Sequence, residues 1–579
     1  MSTVLHAAVE RALSSVLSDL GAGHLPGRLV PCPRPELGDV AVQDALAAAR
    51  TLKRSPVSIA SDIAARLSGL PEVASAEVVA PGYVNLRFSD AALSRSLDAQ
   101  AADPARGVRP AATAERVVVD FGGPNLGKRL HVGHLRSFVV GEALCRMLRL
   151  VGHDVISDAH LGDWGLPCGQ VVAQIRHLHP DAPWFVPGAS GPFPDTLPVP
   201  DADLDGLYPL ASVACKADPA RLAEARAVTA AIQAGDPGPA ALWALFSARA
   251  KASVLATCAR LGVRYDLFLG ESDAQADVPA TLAAFDAAGA ARREGEAVLV
   301  DLAAPSDRKP MPPLVLSRGD GSALYATTDL ATIAGRARDL APDRVLYVVD
   351  ARQGLHFEQV FRAAAKAGLA PGIAFEHLGF GTVDGADGKP LRTRDGGVAG
   401  LDDLLDSAAA AARARVRDLD GPRADAVAEA VGLAALRVAD LLNHRSNGYA
   451  LDVDRATSFE GETGPYLLYA LVRLRTLLAK AGTAPGPVAI AHPAERRLAL
   501  ACLGLGAAVQ RAVDARSPHE AVRYAFALAG EVSRFYVECP VSGETDPAAR
   551  ASRVTLCTVA RDALSLVLDA IACEVPEAM

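Results

Sequence analysis

One short segment of the chain holds three side chains that can handle phosphate groups: Lys128, His131 and His134. The preceding residues 116–121 (RVVVDF) are typical of a buried strand, and residues 135–150 carry apolar side chains at helical spacing. The segment is therefore predicted to form the turn between a strand and a helix. At the start of such a helix, unpaired backbone N–H groups and the helix dipole attract anions.

The chemistry that this segment predicts is nucleotidyl transfer. His131 and His134 can donate hydrogen bonds to the oxygens of an α-phosphate under attack, and Lys128 can offset the charge that develops on departing pyrophosphate. Gly133 allows a base or a ribose to approach the backbone closely. An HxGH match also occurs by chance, and histidines beside an apolar helix are commonly structural, so a structural role stays open from this motif alone.

The length and hydropathy of the chain indicate a protein of several domains. At 579 residues it is long enough to bury sizeable cores. No uninterrupted apolar run reaches the roughly 20 residues needed to cross a bilayer. Residues 1–20 lack the basic and then apolar order of a signal peptide. We therefore expect a soluble, cytoplasmic protein.

The cysteines and the net charge limit the classes of protein further. Nine cysteines include no C-x-x-C pair, which argues against a disulfide framework and against a zinc ribbon. Buried free thiols are expected instead. The net charge of -9 does not exclude a nucleic-acid partner, because a locally basic groove can coexist with a negative total.

The pattern of apolar residues divides the chain into three predicted domains. Residues 1–112 mix helical stretches with a strand-like segment and predict a small α+β domain. Residues 113–400 alternate strands and helices, as a parallel α/β sheet requires, and a proline- and glycine-rich stretch followed by helices predicts an insertion at 179–262. Residues 401–579 lack strand signals and carry apolar residues at helical spacing, which predicts a helical bundle.

Seven segments, in one order along the chain, resemble those of arginyl-tRNA synthetases, a family of class I aminoacyl-tRNA synthetases. The segments are DFGGPNLGKRLHVGHLRS (120–137), HLGDWG (160–165), QAGDP (233–237), YATTDLA (325–331), YVVDARQGLHFEQ (347–359), GKPLRTRDGG (388–397) and FEGETGPYLLYA (459–470). Chance does not account for so many matches in the same order. The resemblance implies a Rossmann-like catalytic domain, a small α+β N-terminal domain and an all-α C-terminal anticodon-binding domain.

The resemblance also implies an activity. It is the ATP-dependent ligation of L-arginine to the 3′ end of tRNA(Arg) through an arginyl-adenylate, with release of AMP and pyrophosphate. Mg2+ is expected, bound mainly through the phosphates of ATP and not by a dedicated set of side chains, and the protein is expected to act as a monomer. The HVGH segment then corresponds to the HIGH motif of class I enzymes, so that His131, Gly133 and His134 bind ATP.

A second phosphate-binding element of class I synthetases is a loop that bears a lysine. The matching residues here are Leu391, Arg392, Thr393 and Arg394, and the usual lysine is absent. The resemblance assigns ATP binding to this loop, a catalytic role to Arg394, and compensation for the missing lysine to Lys128. Two isolated arginines are otherwise interpreted as solvated loop charges.

Selection of arginine requires a carboxylate that pairs with a planar guanidinium through two parallel hydrogen bonds, which the ammonium of lysine cannot reproduce. Asp329 matches the family's guanidinium-binding acid, and Tyr325 matches a residue that lines the side-chain pocket. The resemblance adds three residues that bind the amino acid: Asp120, Asn125 and Gln353. Without the resemblance, Asp329 is equally an N-cap for a helix over 330–337.

Asp163 and Trp164, in the HLGDWG segment, are expected to shape the floor of the site. Simple core packing explains the tryptophan equally well from the sequence. Cys168 follows closely, but no basic neighbour in the sequence argues for an activated thiolate, so we assign it no catalytic role.

Both ends of the chain are expected to contact tRNA. The segment PGYVN resembles an N-terminal motif whose aromatic and amide side chains, here Tyr83 and Asn85, touch the tRNA elbow. In the helical domain, Tyr466, Tyr469 and Met579 match the region that accepts the anticodon. On pattern alone, Tyr83 is equally a half-buried strand residue, and the C-terminal residues are core candidates.

Some positions depart from the pattern of the family. Gly127 stands where alanine is usual, Pro167 where glutamine is usual, and Ala399–Gly400 where methionine and lysine are common. The departures motivate one alternative, a diverged paralogue that supplies arginyl-tRNA outside translation or confers drug tolerance. A second alternative is a non-catalytic tRNA-binding protein that has kept the fold. A small-molecule nucleotidyltransferase is disfavoured by the long helical C-terminal domain.

Overall fold

The structure is a computed structural model that describes residues 4–34, 36–200, 203–317, 324–385, 388, 399–416 and 420–579. Contacts within the chain define two units. The first unit comprises Met1–Pro110, Arg415–Val438 and Thr457–Met579, and the second comprises Ala111–Ala414 and Ala439–Ala456. None of the described helices is both long enough and apolar enough to span a membrane.

The N-terminal part of the first unit is an antiparallel sheet with helices. In chain order its elements are α1 (Val4–Asp19), β1 (Leu29–Pro31), β2 (Val40–Val42), α2 (Asp44–Leu52), α3 (Pro56–Leu67), β3 (Val73–Val79), β4 (Tyr83–Phe88) and α4 (Asp90–Ala102). The strands have the order β1-β2-β4-β3. Helices α3 and α4 begin after Ser55 and Ser89, whose hydroxyls accept hydrogen bonds from backbone N–H groups in the first turn. The predicted small α+β domain is confirmed.

The second unit is built around a parallel sheet. In chain order its elements up to residue 413 are β5 (Arg116–Phe121), α5 (Leu135–Leu150), β6 (Asp154–Leu161), α6 (Leu166–Leu178), α7 (Leu204–Ala217), α8 (Pro219–Ala234), α9 (Pro237–Arg260), β7 (Leu267–Gly270), α10 (Glu271–Ala274), α11 (Val278–Ala287), β8 (Arg292–Glu294), β9 (Ala297–Val300), β10 (Leu314–Ser317), α12 (Tyr325–Asp339), β11 (Arg344–Val348), α13 (Gly354–Ala367), β12 (Ala374–His377), β13 (Val383–Gly385) and α14 (Leu401–Arg413).

Five parallel strands form the sheet that positions the site, in the order β12-β11-β5-β6-β7. Strand β5 is central and its valines at 117–119 are all buried, as expected of a strand covered on both faces. Because the carboxyl ends of parallel strands meet at one edge, the turn after β5 lies beside the residues that follow β11 and β6. The predicted parallel α/β domain is confirmed.

Two parts of the second unit lie outside this sheet. Helices α7–α9, within the predicted insertion, share one apolar core with α6 that includes Ile175, Leu207 and Phe246. Strands β8–β10 form a separate antiparallel sheet. This corrects the prediction that residues 113–400 alternate throughout as a parallel sheet. The tight turn at Gly295 (φ +61°) joins β8 to β9, and short strands of this kind carry no periodicity that reveals their direction.

Beyond α14 the chain is helical except for one short strand. The elements are α15 (Gly421–Leu441), β14 (Tyr449–Leu451), α16 (Val453–Ala456), α17 (Gly464–Lys480), α18 (Pro493–Leu503), α19 (Leu505–Asp514), α20 (His519–Glu538) and α21 (Pro547–Ala570). Strand β14 pairs in parallel with β13 within the second unit, to which α14 also belongs. The sequence instead assigned everything after residue 400 to one helical domain, because helical periodicity identifies a helix without identifying the body on which it packs.

Polar contacts join the two sequence-distant parts of the first unit. Arg496, on α18, lies 2.5 Å from the Asp39 carboxylate and also pairs with Asp90. Arg106 pairs with Asp562, on α21, at 2.9 Å. The N-terminal domain and the C-terminal helices therefore form a single body, which sequence periodicity does not indicate.

Candidate active site

His131 and His134 follow the carboxyl end of β5, at the short 3-10 turn Val132–His134 that leads into α5. The N–H of Gly133 donates to Nδ1 of His131, and the N–H of His131 donates to Nδ1 of His134, each at 3.1 Å. A backbone N–H can only donate, so Nδ1 of His131 is an acceptor. Nδ1 of His134 also lies 3.2 Å from the carbonyl oxygen of His131, but that oxygen already accepts from the N–H of His134 at 2.8 Å, so we assign Nδ1 of His134 as an acceptor too. In each neutral imidazole the ring hydrogen is therefore on Nε2.

Both histidines are neutral near pH 7. Burial, followed by the charge of His131, lowers the pKa of His134 to about 4. Burial and the charge of Lys128 lower the pKa of His131 below its ordinary value. The pair thus offers two uncharged Nε2–H donors, which can hydrogen bond to phosphate oxygens.

The first turn of α5 is fixed by polar side chains that the sequence analysis did not single out. The Ser137 hydroxyl accepts from the N–H of Gly122 and donates to the carbonyl of Val348, both at 2.7 Å, so it joins the ends of β5 and β11. Arg136 is buried and lies 3.2 Å from the carboxylate of Asp440. The sequence signal that could have identified Arg136 and Ser137 was the position of two polar residues at the start of an otherwise apolar helix.

A cavity of about 270 Å³ lies at the carboxyl ends of β5 and β11. It brings together eight residues that the sequence predicted for ATP or arginine: Asp120, Asn125, His131, Gly133, His134, Tyr325, Asp329 and Gln353. Side chains that were not predicted also line it, among them Ser137, His160, Tyr347, Asp350, Arg352, Phe357 and Phe380. Most of these lie in the segments that carry the family resemblance, but finding them requires knowing where each strand ends.

Tyr325 and Asp329 lie one turn apart on α12 and therefore on the same face of that helix. Oδ2 of Asp329 lies 2.6 Å from Nε2 of His356, and the rings of His356 and Tyr325 are 4.9 Å apart. Because α12 already begins at Tyr325, the alternative that Asp329 caps a helix over 330–337 is wrong. Its carboxylate instead lines the cavity, where it can accept hydrogen bonds from a guanidinium.

Glu271, the first residue of α10, is a buried acid that the sequence analysis missed. Burial, and then the negative charges of Asp329 and Asp163, raise its pKa to about 8. The available signal was its position directly after β7, because an acid at the carboxyl end of a parallel strand lies at the edge that binds ligands. Glu271 is not among the residues that line the cavity, but the charge of Asp329 acts on it, so the two acids form one negative region suited to an organic cation.

Asp120 ends β5 as part of a buried polar network. Nη2 of Arg336 donates at 2.6 Å to Asp120 and, at the same distance, to Asp158, its paired position on β6. Nη1 of Arg336 lies 3.3 Å from the hydroxyl of Tyr347. Burial raises the pKa of Asp158, and the Arg336 charge opposes this shift. Arg336 gave no signal in the sequence, because its acidic partners lie on strands far away along the chain.

Asp163 and Trp164 are not among the residues that line the cavity. Asp163 is fully buried, accepts from the Ser272 hydroxyl at 2.7 Å and lies 3.2 Å from the Lys251 ammonium. The Trp164 ring packs edge-on against Trp243 on α9. Both residues connect the end of β6 to α9 and α10, and so support the site without lining the cavity.

The cysteines match the expectation of buried thiols, since all nine are buried. Burial raises the pKa of Cys168 to about 12, so it carries no thiolate at neutral pH. The absence of a catalytic role for Cys168 stays a prediction.

Lys128 lies outside the cavity lining that includes the histidines. Lys128 is not among the residues that line the cavity, and its Nζ lies 5.3 Å from the ring centroid of Tyr208, on α7. The remaining predicted positions lie outside the described residues: Leu391, Arg392, Thr393 and Arg394. Their roles stay predictions.

Gly400 forms an antiparallel backbone bridge with His131, so this residue is paired with the HVGH segment. A Cβ at this glycine would lie 2.6 Å from Oδ2 of Asp403 and 2.7 Å from Cζ of Arg129. Arg129 and Asp403 themselves make two parallel hydrogen bonds, of 3.0 and 2.9 Å. These atoms are the far ends of flexible, exposed side chains, so a side chain at position 400 would require only that this ion pair shift, and the structure does not explain the glycine.

Gly127 and Pro167, two other departures from the family pattern, are neighbours. A Cβ on Gly127 would lie 3.2 Å from the carbonyl oxygen and 3.4 Å from Cβ of Pro167. Pro167 lies in the first turn of α6, where the backbone N–H that proline lacks has no partner within the helix. The glycine thus makes room for the backbone of the proline.

The residues predicted for tRNA contact all lie in the first unit. Tyr83 is half-buried on β4, and Asn85 is buried there, with 6% of its surface exposed. On α17 the Tyr466 ring stacks 6.2 Å from that of Phe526, whereas Tyr469 is 45% exposed. The predicted Met579 is partly exposed at the chain end. Contact of these side chains with tRNA stays a prediction.

Models of three protein families match the chain in succession. The arginyl tRNA synthetase N terminal domain matches residues 3–88, the catalytic domain of tRNA synthetases class I (R) matches residues 102–453, and the DALR anticodon binding domain matches residues 467–579. These matches agree with the order of the α+β, parallel α/β and helical parts described above.

Individual proteins are similar over almost the whole length. An arginine--tRNA ligase of Maricaulis maris (strain MCS10) is 43% identical, with 98% of this chain and 99% of that protein covered. One of Hyphomonas neptunium (strain ATCC 15444) is 44% identical, with 94% and 95% covered. Among solved structures, Thermus thermophilus arginyl-tRNA synthetase superposes with a TM-score of 0.82 at 27% identity, covering 99% of this chain and 100% of that one.

The contact between Gly127 and Pro167 leads to a prediction about stability. Gly127→Ala should lower the free energy of unfolding by about 1–3 kcal/mol, because the new methyl group crowds the carbonyl of a residue whose backbone a proline ring restrains. Adding Pro167→Gln should restore part of that loss, because the backbone can then shift. Gly206→Ala is the matched control, since a Cβ there has nothing within 4 Å.

The measurement is urea-induced unfolding of the four proteins, followed by far-UV circular dichroism. A Gly127→Ala midpoint that equals those of the wild type and of Gly206→Ala would contradict the packing argument.

Proposed function

Because the chain belongs to the arginyl-tRNA synthetase family, we propose that it ligates L-arginine to the 3′ end of tRNA(Arg) in an ATP-dependent reaction, releasing AMP and pyrophosphate. The observation that carries this proposal is the set of side chains that line the cavity. The same cavity is lined by the neutral His131 and His134 pair and by Asp329 and Tyr325. It therefore joins donors for phosphate oxygens to an acid and an aromatic ring for a guanidinium side chain.

The reaction proceeds in two displacements. In the first, an oxygen of the arginine carboxylate bonds to the α-phosphorus of ATP, and the bond from that phosphorus to the bridging oxygen of pyrophosphate breaks. The Nε2–H groups of His131 and His134 donate to phosphate oxygens on which charge accumulates. In the second displacement, a hydroxyl of the terminal tRNA ribose attacks the carbonyl carbon of arginyl-adenylate, and AMP leaves.

Arginine is selected at the α12 side of the cavity. His356 holds one oxygen of the Asp329 carboxylate at 2.6 Å and so fixes its orientation for the two parallel hydrogen bonds of a guanidinium. The Tyr325 ring offers an apolar face to the methylene groups of the substrate. Glu271 adds a second acid, which loses its proton when a guanidinium supplies the opposite charge nearby. The site residues Asp120, Asn125 and Gln353 are proposed to bind the α-amino and carboxylate groups.

The remaining assignments concern residues that bind the phosphates of ATP. Lys128 and Arg394 are proposed to offset charge on the leaving pyrophosphate, with Leu391, Arg392 and Thr393 as further contacts to ATP. The phosphates of ATP would be the main ligands of Mg2+, which when bound would supply positive charge to offset that of the phosphates. Within the part of the chain that the structure describes, no group of three or more His, Cys, Asp or Glu side chains could hold a metal ion on its own.

Further assignments rest on the family alone. Residues 1–112 are proposed to contact the tRNA elbow through Tyr83 and Asn85, and residues 401–579 to accept the anticodon through Tyr466, Tyr469 and Met579. The protein is proposed to act as a monomer in the cytoplasm. No observation on the described residues favours the paralogue or the non-catalytic alternative.

Exchange of pyrophosphate into ATP tests the proposed function. Exchange should appear only when both arginine and tRNA are present, as the family resemblance implies. His134→Ala should reduce it by about 100-fold or more, because one preorganised donor to the reacting phosphate is removed. His24→Ala is the matched control, because this histidine is exposed in the first unit and should leave exchange unchanged. Absence of exchange with every amino acid, while tRNA still binds, would refute the synthetase activity.

Arginine binding should also release a proton near neutral pH. In the free protein the pKa of Glu271 is raised to about 8, so this carboxyl is mostly protonated below that pH. The guanidinium lowers this pKa, so roughly half to one proton should leave per arginine bound near pH 7.5, and the release should vanish well above pH 8.

Isothermal titration calorimetry in buffers of different ionisation enthalpy measures this release. Glu271→Gln should abolish the dependence of the binding heat on the buffer. A wild-type binding heat that is the same in all buffers would show that no proton leaves and would contradict the assignment.

A further inference from the structure

We propose that Tyr208, on helix α7 of the insertion, is a positioning residue that limits through its aromatic ring where the ammonium of Lys128, three residues before His131, can lie. This inference rests on the proposed function, in which Lys128 offsets charge on the departing pyrophosphate. Tyr208 acts through the lysine and touches no substrate. The insertion thereby takes part in the first chemical step although none of its described side chains lines the cavity.

The contact between the two side chains is a cation–π interaction. Nζ of Lys128 lies 5.3 Å from the centroid of the Tyr208 ring, within the range over which the negative face of the ring attracts an ammonium. Lys128 is otherwise exposed, and no carboxylate lies within ion-pair distance of it among the described residues. The ring is therefore the group that limits where this flexible side chain goes.

Helix α7 is itself held against the HVGH segment and against the insertion. Arg129, next to Lys128, lies 3.4 Å from the carboxylate of Asp205, three residues before Tyr208 on the same helix. Leu207 is buried in the apolar core of the insertion, and the Tyr208 ring packs against that core. The helix that carries the ring is thus held in place, as a positioning group requires.

The position in which Tyr208 keeps the ammonium is close to the reacting groups. The positive charge of Lys128 lowers the pKa of both His131 and His134, so the ammonium is within electrostatic reach of both rings. A cation at this position attracts the departing pyrophosphate, while the histidines contact the α-phosphate that remains. A lysine without the ring would spread over many rotamers, and less of its charge would reach the leaving group.

Replacement of the ring tests the proposal. Tyr208→Leu should reduce kcat of ATP–pyrophosphate exchange roughly two- to fivefold, the ratio that corresponds to an exposed cation–π contact, with the KM for arginine unchanged. Tyr208→Phe should retain the wild-type rate, because it keeps the ring and loses only the hydroxyl. Leu210→Ala, at an exposed position of the same helix, is the matched control and should have no effect.

A double-mutant cycle separates positioning from a structural role. If Tyr208 acts through the lysine, Tyr208→Leu should cause no further loss in a Lys128→Met background. An equal loss in both backgrounds would show a structural role and overturn the proposal. An increase in exchange for Tyr208→Leu would overturn it as well, because the ring would then be holding the lysine away from the reaction.

A spectroscopic readout makes the test independent of turnover. In histidine-labelled protein, the pKa of His131 measured by NMR should rise in Tyr208→Leu and in Lys128→Met, and should not change in Tyr208→Phe. An unchanged His131 pKa in Tyr208→Leu would overturn the inference even if exchange is slower. The pKa of His131 could change in the variants as expected while the wild-type protein exchanges no pyrophosphate with arginine. That result would refute the proposed function and leave the contact between Tyr208 and Lys128 supported.

Discussion

Two backbone hydrogen bonds determine what the HVGH segment can do. The N–H groups of Gly133 and His131 each donate to an Nδ1 atom, which assigns the ring hydrogens of His131 and His134 to Nε2, because the His131 carbonyl that also faces Nδ1 of His134 already accepts from a backbone N–H. Burial then keeps both rings uncharged, and the pair becomes two fixed donors. Such donors stabilise charge that develops on a phosphate during a displacement, because no reorganisation is needed when the charge appears. The rest of the site serves to place arginine and ATP against them.

Buried polar contacts between strands hold the edge of the sheet at which the substrates are proposed to bind. Ser137 ties α5 to the ends of β5 and β11, and Arg336 ties Asp120 on β5 to Asp158 on β6. Breaking a buried ion pair by removing one partner leaves a charge without compensation and costs about 3–5 kcal/mol. These contacts therefore hold the carboxyl ends of neighbouring strands in one arrangement. The acidic end of the site, at Asp329, faces the same edge, so cation recognition and phosphate chemistry share one cavity.

Features that depend on local spacing were predictable from the sequence, and features that depend on distant contacts were not. The HVGH turn follows from a β-branched run, a glycine and an amphipathic helix within a few tens of residues. Of the family-matched residues around it, Asn125, Gly133 and both histidines line the cavity, whereas Lys128 does not. Arg336, by contrast, meets Asp120 across 216 positions of the chain, and no local pattern marks that pair. The antiparallel strands β8–β10 and the association of α14 with the catalytic unit were missed for the same reason. In both cases the pattern defines an element but not its partner.

The two-bond 1H–15N spectrum of the histidine rings tests the central claim most directly. His131 and His134 can be assigned by single replacements with glutamine. Near pH 7 both rings should be neutral, with hydrogen on Nε2 and a bare Nδ1, and His134 should stay neutral on acidification until the pH approaches its pKa of about 4. An imidazolium signal for either ring near pH 7, or a hydrogen on Nδ1, would contradict the claim that this segment supplies two neutral phosphate donors.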